Sequence, residues 1–393
     1  MLENLPIVQG DPLWALLHQF NADQRDHKID MLVGVYRDET GQTPVMQQVQ
    51  KAEQKLAAVA ESKSYKMLSG NLEFNDHMAK FLLGDSERFS DQCTIQTVGG
   101  SGALRVIADF VATLSPDAVI WNTNPGYLNH RPIMEGAGLN VEPFRWQHVG
   151  GVLDIEACFE DLEQAKEGDI LLLHGSCHNP SGVDPSLAQW QQFIDFCLAK
   201  KVVPFIDIAY QGFGDGPEED AAGLRLFVEQ VDFMLVAASC SKNMGLYCER
   251  TGVAMVITND HSQHAPLRTL LERITRANYS MPPNHGAAVA SLLFSDPEPW
   301  LAELSVCRER INDLRKALGN LLLEMNAPVS LQAVTRQKGM FSLLPLTPEQ
   351  MTALREKHAI YGMLNGRINI AGLKQAQVSY LAKALVDVMK SEC

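Results

Sequence analysis

The chain has 393 residues, of which 46% are hydrophobic and 20% are charged, and its formal net charge is -14. This mixture supplies enough apolar surface for a large core and argues against a disordered chain. The negative charge argues against nucleic acids and anionic membranes as partners, because an acidic surface repels both. No apolar run approaches the roughly 20 residues that cross a bilayer, so no membrane span is expected.

Cysteine usage and the opening sequence predict a cytoplasmic protein. The eight cysteines are scattered and no two have the CxxC spacing, so we expect reduced thiols rather than a disulfide framework or a metal site. The N-terminal sequence MLENLPIVQGDP has no basic region followed by an apolar stretch, which a secretory signal would need.

Five short apolar runs predict strands. In chain order they are AVIWN (118–122), DILLLHG (169–175), VVPFIDIAY (202–210), FMLVAASCS (233–241) and GVAMVIT (252–258). The runs are continuous rather than alternating, which is typical of strands covered on both faces. Helical patterns such as 185–201 lie between several of them. This alternation predicts an α/β fold, with a mostly parallel central sheet flanked by helices.

The C-terminal third has a different pattern. A long amphipathic helix is predicted over 300–325, followed by short strands around GMFSLLPL (339–346) and GRINIAG (366–372). A closing helix is predicted from about Gln375. These elements predict a smaller α+β unit.

Three polar residues lie at or just beyond the ends of predicted strands. Asn179 follows DILLLHG, Asp207 closes VVPFID and Lys242 follows FMLVAASCS. In open α/β sheets, ligands bind beyond the carboxyl ends of the strands, so these residues are expected in one crevice. A lysine can form a Schiff base with a carbonyl cofactor, and an acid can hold a pyridine nitrogen protonated. Taken alone, Asp207 would be interpreted as a cap and Lys242 as a surface lysine.

A glycine turn opens the helix predicted within VGGSGALRVIADFVATL (98–114). Backbone N–H groups at a helix start bind anions, and Ser101 adds a hydroxyl. The dinucleotide fingerprint is incomplete, because Arg105 occupies the place of its last glycine. Ser239 and Arg250, near another strand end, favour a phosphate site at this turn.

Two histidines have a spacing that would suit zinc on a helix face, but no metal is predicted. His174 and His178 are four residues apart, yet the apolar run places His174 at a strand end and Pro180 prevents a continuing helix. No third ligand accompanies them, so they are interpreted as hydrogen-bonded structural histidines. The acidic segment PEED (217–220) is interpreted as a solvated loop.

The order and content of several motifs resemble the aspartate and aromatic aminotransferases, class I, subgroup Iα, of the pyridoxal-phosphate (PLP) fold type I. The motifs are GVYRDETGQTPV (34–45), TVGGSGALR (97–105), HGSCHNPSG (174–182), DIAYQGFGDG (207–216), SCSKNMGLYCERTG (239–252), RANYSMPP (276–283) and NGRINIAG (365–372). The resemblance covers nearly the whole chain. It implies an N-terminal arm (1–10), a large PLP-binding domain (44–309) and a small domain (11–43 with 310–393).

The resemblance implies how the cofactor, pyridoxal 5'-phosphate, would be bound. Lys242 would carry it and move the substrate Cα proton, and Asp207 would pair with its pyridine nitrogen. Asn179 and Tyr210 would hydrogen-bond its phenolic oxygen, and an aromatic residue, here Tyr127, would cover its ring. The remaining implied residues hold the phosphate: Gly100, Ser101, Ser239, Arg250 and, from the neighbouring subunit, Tyr65. His130 would lie beside Asp207, although a partly buried loop histidine is an equal alternative.

The same resemblance implies how a substrate would be bound and that the enzyme is a homodimer with shared active sites. Arg367 would clamp the α-carboxylate, a task that suits a planar guanidinium. Arg276 would reach across from the partner subunit to a distal carboxylate. Gly34, Tyr127 and Asn179 would also contact the substrate.

Two residues depart from the family pattern. Tyr127 occupies the position of the usual tryptophan, which reduces the aromatic area. Met281 replaces asparagine or serine, and its flexible apolar side chain would favour larger or aromatic substrates. Ser101 is typical of the aromatic enzymes and GVYRDETG of the aspartate enzymes, so both substrate classes are expected.

The leading hypothesis is therefore transfer of an amino group from aspartate or an aromatic amino acid to 2-oxoglutarate by a ping-pong mechanism. A decarboxylase or lyase of the same fold is an alternative, but it would have reason to lose Arg276 or Arg367. A nicotinamide oxidoreductase would leave Lys242 unused. A non-catalytic cofactor sensor would be expected to have lost Lys242 or gained a DNA-binding segment.

Overall fold

The structure is a computed structural model that describes Leu5 and the range Gly10–Lys390. The chain divides into two compact units. The large unit comprises Pro44–Arg310 and Arg336–Gly339, and the small unit comprises Met1–Thr43, Ile311–Thr335 and Met340–Cys393. The predicted N-terminal arm, 1–10, lies outside the described residues except for Leu5 and Gly10.

The elements of the described chain alternate between strands and helices over much of its length. The strands are β1 (Ile29–Asp30), β2 (Gln92–Val98), β3 (Val119–Asn124), β4 (Asn140–Arg145), β5 (His148–Val149), β6 (Val152–Leu153), β7 (Ile170–His174), β8 (Val203–Ile208), β9 (Phe233–Ser239), β10 (Thr251–Thr258), β11 (Phe341–Leu343), β12 (Ile360–Tyr361) and β13 (Arg367–Asn369). The helices are α1 (Pro12–Ala22), α2 (Gln47–Val59), α3 (Leu72–Leu83), α4 (Gly99–Leu114), α5 (His130–Gly136), α6 (Ile155–Leu162), α7 (Leu187–Lys200), α8 (Ala222–Gln230), α9 (His264–Asn278), α10 (Asn284–Ser295), α11 (Pro297–Glu324), α12 (Val329–Gln332), α13 (Pro348–His358) and α14 (Val378–Lys390).

A seven-stranded sheet forms the centre of the large unit. Its strands lie in the order β2–β10–β9–β8–β7–β3–β4. Strand β10 runs antiparallel to both of its neighbours, and every other neighbouring pair is parallel. Every residue of β7 and of β10 is buried, which explains why their sequences are continuous apolar runs. The mostly parallel α/β fold is thereby confirmed.

All five predicted apolar runs form strands of this sheet, as β3, β7, β8, β9 and β10. Two of its strands, β2 and β4, were not predicted. The helix predicted over 185–201 is α7, and it begins with a capping box in which the Ser186 and Gln189 side chains each accept from the other's backbone N–H. The helix predicted over 300–325 begins earlier and is α11.

The small unit combines short strands with helices, as predicted. Strands β1 and β12 are parallel, with Ile29 opposite Ile360, and β11 and β13 are antiparallel, with Ser342 opposite Ile368. The closing helix α14 is strongly amphipathic and buries one face, including Leu381 and Leu385. Within the part of the chain that the structure describes, no helix is long and apolar enough to cross a membrane.

Candidate active site

The carboxyl ends of neighbouring strands bring the candidate residues of the large unit together. His174 at the end of β7 lies opposite Asp207 in β8, and Asp207 lies opposite Ala237 in β9. Ser239 ends β9, and Lys242 follows it by three residues. Parallel strands end at one edge of a sheet, so these residues lie at the same edge, which is where ligands bind in open α/β sheets.

Asp207 is buried and held by a histidine. His130 Nε2 lies 2.7 Å from Asp207 Oδ2, and His130 itself is fully buried at the start of α5. Burial acts to raise the pKa of Asp207, but the hydrogen bond from His130, together with electrostatic interactions with His130, His174 and Lys242, outweighs burial and lowers that pKa. Asp207 is therefore an ionised acid at neutral pH.

A row of aromatic rings packs against His130, the histidine that is hydrogen-bonded to Asp207. The His130 and His174 rings meet edge to face, with centroids 4.9 Å apart, and His174 stacks on His178 at 4.3 Å. His178 in turn stacks on Trp146 at 4.6 Å. Such pairs lock ring orientations beyond what burial alone achieves.

The hydrogen bonds of His174 and His178 agree with their interpretation as structural residues. His174 Nδ1 accepts from the Asn179 backbone N–H at 3.0 Å. The two ring nitrogens of His178 lie 2.8 Å from Ser181 Oγ and 3.1 Å from Thr123 Oγ1. Burial lowers the pKa of His174 to about 3 and that of His178 well below its usual value. Among the described residues, no group of three or more His, Cys, Asp or Glu side chains is arranged to hold a metal ion.

Lys242 lies over the ring of Tyr210. Its Nζ is 5.0 Å from the ring centroid, and the Tyr210 hydroxyl accepts from Asn179 Nδ2 at 3.4 Å. Burial, helped by the charge of Arg250 and opposed by Asp207, lowers the pKa of Lys242 to about 8. A lysine with this pKa has a usable fraction of neutral, nucleophilic amine near neutral pH.

The start of α4 forms a cradle for an anion. The Gly99 N–H donates to the Arg250 carbonyl at 2.9 Å, and Gly99 has a φ of +65°. A Cβ on Gly99 would lie 2.5 Å from Arg250 Nη2, and one on Gly100 would lie 3.4 Å from Ser239 Oγ. A glycine at 99 lets the guanidinium come this close to the helix start, where backbone N–H groups and the helix dipole favour negative charge.

Ser101 and Tyr127 meet beside this cradle. Both residues are partly buried, and the Tyr127 hydroxyl is hydrogen-bonded with Ser101 and Asn129. Burial, reinforced by the negative charge of Asp207, raises the pKa of that hydroxyl. The Tyr127 ring also packs edge to face on His130, with centroids 5.2 Å apart. Tyr127 thus contacts a residue of the cradle and the histidine that holds Asp207.

Gly34 and Arg367 belong to the small unit, where one phenylalanine links them. The Arg367 guanidinium carbon lies 4.8 Å from the Phe341 ring centroid, and Arg367 Nη2 donates to the Leu32 carbonyl at 2.8 Å. A Cβ on Gly34 would lie 2.6 Å from Phe341 Cζ. Phe341 was predicted only as part of a strand, because nothing in GMFSLLPL marks it as the support of an arginine.

Tyr65 and Arg276 are not brought into this crevice by contacts of their own chain. Tyr65 is 92% exposed, and Arg276 is exposed in the last turn of α9. Met281 lies close to the segment that carries Tyr65, since its sulfur accepts from the Lys66 backbone N–H at 3.4 Å.

The interpretation of PEED (217–220) as a solvated loop is wrong for Asp220. This carboxylate is 6% exposed and accepts three backbone N–H groups, from Gly212 and Gly214 at 2.8 Å and from Asp215 at 2.9 Å. The glycine-rich turn that follows Tyr210 folds back onto it. The signal in the sequence was the GFGDG turn a few residues upstream, which needs an acceptor for its N–H groups.

The fold and the site together define an α/β protein with a lysine of lowered pKa close to the strand ends. The chain belongs to the aminotransferase class I and II family, whose model matches residues 26–385. It is 40% identical to the aromatic-amino-acid aminotransferase of Paracoccus denitrificans, over 99% of this chain and 100% of that one, and 39% identical to the aspartate aminotransferase of Escherichia coli K12, over the same shares.

A comparison with solved structures identifies the same family. The aromatic-amino-acid aminotransferase of Burkholderia pseudomallei, which is covalently bound to pyridoxal phosphate, matches with a TM-score of 0.95 and 35% identity, over 99% of this chain and 100% of that one. The predicted family, the type I fold and the class of enzyme, an aminotransferase, are confirmed.

Proposed function

We propose that this aminotransferase uses pyridoxal 5'-phosphate to move the amino group of aspartate or an aromatic amino acid to 2-oxoglutarate, by a ping-pong mechanism. The observation that carries the proposal is the convergence of Lys242, Asp207 and Tyr210 at one edge of the sheet. A buried ionised acid beside a lysine of lowered pKa is the donor set that a pyridine aldehyde requires.

The residues of the large unit fit this cofactor. Its phosphate matches the cradle at the start of α4, where Gly99 and Gly100 leave room beneath Arg250 and Ser239. Its ring nitrogen matches Asp207, and its phenolic oxygen matches the Asn179 amide and the Tyr210 hydroxyl. Two positive groups, Arg250 and Lys242, balance the negative charge of a phosphate in a site that Asp207 would otherwise make acidic.

When bound, pyridoxal phosphate supplies an electron sink that stabilises negative charge at the substrate Cα. Lys242 holds the cofactor and moves the proton at the Cα, and its pKa of about 8 suits a group that both takes and returns a proton. Asp207 stays ionised because His130 donates to it, and it thereby keeps a proton at the ring nitrogen. Asn179 and Tyr210 hold the phenolic oxygen.

We assign substrate binding to Arg367, Gly34, Tyr127 and Asn179 of one chain and to Arg276 of a partner chain, which also provides Tyr65 to the phosphate. The exposure of Tyr65 and Arg276 supports this assignment, because both side chains are accessible to a second copy. The proposal thus includes a homodimer, a PLP-binding domain at 44–309 and a small domain at 11–43 with 310–393. We also propose a cytoplasmic location.

Replacing the lysine tests the chemistry. The wild-type enzyme should be yellow, with a visible band that borohydride bleaches. Lys242→Ala should lose the covalent link and the proton shuttle together, and its turnover should fall by at least about 10⁴-fold, the upper end for a lost acid–base group. A variant that still turns over at nearly the wild-type rate would contradict the proposal.

A panel of amino donors tests the substrate class. With 2-oxoglutarate as the acceptor, aspartate, tyrosine and phenylalanine should all react, because Arg276 can pair with a carboxylate while Met281 offers an apolar surface to a ring. The ratio of kcat/KM between aspartate and phenylalanine should stay below about 10⁴, the discrimination reached when a buried polar group is left unpaired. Release of carbon dioxide or ammonia in place of amino transfer would favour a decarboxylase or lyase.

A further inference from the structure

A buried hydrogen bond joins the turn that carries Lys242 to the turn that carries Tyr210. Asn243 follows Lys242 directly, and Gln211 follows Tyr210 directly. Asn243 Nδ2 donates to the Gln211 carbonyl at 3.3 Å, and both residues are only 2% exposed. The amide nitrogen must be the atom that faces this carbonyl, because the amide oxygen could not donate. The two turns are therefore tied by one side chain, away from solvent.

This hydrogen bond between Asn243 and Gln211 is called the tie below. At its Lys242 end, a residue of α11 holds the backbone of Asn243. Trp300 in α11 is completely buried, and its indole Nε1 donates to the Asn243 carbonyl at 2.8 Å. The Trp300 ring packs against Phe81 and Phe294, with centroids 5.4 Å away in each case. Two neighbouring rings thus hold the indole donor, and the donor holds the backbone next to Lys242.

The Tyr210 end is also fixed. Gln211 Nε2 donates to the Phe81 carbonyl at 3.0 Å and to the Pro217 carbonyl at 2.9 Å. Phe81 contributes to both ends, since its ring packs on Trp300 and its carbonyl accepts from Gln211, so each turn stays held in place when the Asn243–Gln211 hydrogen bond is removed. A buried amide that loses its partner also leaves polar atoms unsatisfied, and this cost drives a local rearrangement.

We propose that Asn243 is a positioning residue that fixes the spacing between Lys242 Nζ and the Tyr210 ring, with Trp300 as its anchor. The inference rests on the proposed function in taking Lys242 as the cofactor-binding lysine. Asn243 itself touches neither substrate nor cofactor; it acts through its neighbour in the chain and through the neighbour of Tyr210.

The consequence for Lys242 has a definite direction. Burial is the main cause of its lowered pKa, Arg250 adds to it, and Asp207 opposes it. If the turn loosens, water reaches the ammonium group, the burial penalty falls, and the pKa rises towards the ordinary lysine value of 10.5. In the loaded enzyme, the phenolic oxygen would lose part of its hydrogen bonding from Tyr210, which raises the pH at which the visible band changes.

The variants are Asn243→Ala, which removes the tie, and Trp300→Phe, which removes only the indole donor and keeps most of the ring. Phe294→Leu is the matched control, because it reduces packing on Trp300 and leaves every hydrogen bond of the tie in place. The wild type and all three variants are loaded with pyridoxal phosphate, and the visible band is titrated with pH. Trp300→Phe keeps the test usable if Asn243→Ala folds poorly, since it removes one hydrogen bond alone.

We expect the midpoint of the band to rise by about one pH unit in Asn243→Ala and by about half a unit in Trp300→Phe, the size of one and of part of one hydrogen bond. The Phe294→Leu midpoint should stay at the wild-type value even if its melting temperature falls. In Asn243→Ala and in Trp300→Phe, kcat should fall while KM stays within about twofold of the wild-type value, because the substrate contacts made in the ground state are intact.

A second measurement does not depend on a bound cofactor. In the full chain freed of cofactor, the pH dependence of Lys242 acetylation, followed by peptide mass spectrometry, gives the lysine pKa directly. The wild-type midpoint should be about 8 and should rise in both variants of the tie. A wild type without a visible band would refute the proposed function. A wild type with the band but with midpoints unchanged in Asn243→Ala and Trp300→Phe, or shifted equally in Phe294→Leu, would refute the positioning role.

Discussion

The candidate site has a buried part, whose side chains are hydrogen-bonded within the chain, and an exposed part, whose side chains reach solvent. Asp207, Asn179 and Tyr210 are each less than 10% exposed, and each has a hydrogen-bond partner within the chain. Tyr65 and Arg276 project into solvent. The fold of one chain therefore fixes the residues proposed to contact the cofactor ring, whereas the proposed contacts to the phosphate edge and to a distal carboxylate require a second chain.

The largest expected effect lies in the buried part. Asp207→Ala removes the proposed partner of the ring nitrogen and leaves His130 without its acceptor. Abstraction of the Cα proton should slow by about 10² to 10³-fold, the usual loss when one pre-placed electrostatic group is removed. Substrate binding should change far less, so the loss appears in kcat. Single-turnover kinetics measure the step, and an unchanged deprotonation rate would remove Asp207 from its proposed role.

A smaller effect concerns the stability of the cofactor-free chain. The pKa of Lys242 is about 8 in the folded state, and the ordinary lysine value of 10.5 applies to the unfolded chain, so the unfolded chain binds more protons between these two pH values. Stability therefore rises with pH across that window, and the penalty is complete below pH 8. Relative to Lys242→Met, the wild type should gain about 1 to 3 kcal/mol in unfolding free energy from pH 8 to 10.5. Denaturant titrations at each pH measure this difference; a flat difference would mean that the amine is solvated.

The exposed part is tested by mixing two inactive enzymes. Lys242→Ala homodimers should fail on every substrate, and Arg276→Asp homodimers should fail on aspartate because like charges meet. In a mixed dimer, one site carries both lesions and the other is wild type, if Arg276 serves the partner's site. Subunit exchange should therefore restore at most half of the wild-type aspartate turnover per mixed dimer. Verified exchange without recovery would show that Arg276 does not cross between subunits.

The sequence predicts the strands that are continuous apolar runs and misses β2 and β4, whose sequences are interrupted by polar residues even though β2 is buried over most of its length. Strand β4, with its pattern NVEPFR, lies at the sheet edge and leaves Asn140, Glu142 and Pro143 exposed, so it lacks a continuous apolar run. An apolar run also carries no information on strand direction. The antiparallel course of β10 therefore could not be predicted from GVAMVIT.

Within the site, the sequence identifies residues whose chemistry is rare at strand ends, such as Asp207 and Lys242. It does not identify residues that act through backbone contacts. Trp300 bonds a carbonyl 57 residues away in the chain, and Asp220 collects N–H groups of a turn. Neither has a local sequence pattern that separates it from any other apolar or acidic residue. Their partners are backbone carbonyl and N–H groups, which almost every residue has.

The contact of Gly34 with Phe341 restricts the order in which the small unit can change by mutation. Any side chain at 34 would put its Cβ 2.6 Å from the Phe341 ring, and that ring carries the guanidinium of Arg367. Phe341 must therefore become smaller before position 34 can become larger, and in the intermediate protein Arg367 has lost its aromatic support. Laboratory libraries that vary position 34 alone should return almost only glycine, whereas libraries that vary 34 and 341 together open new combinations.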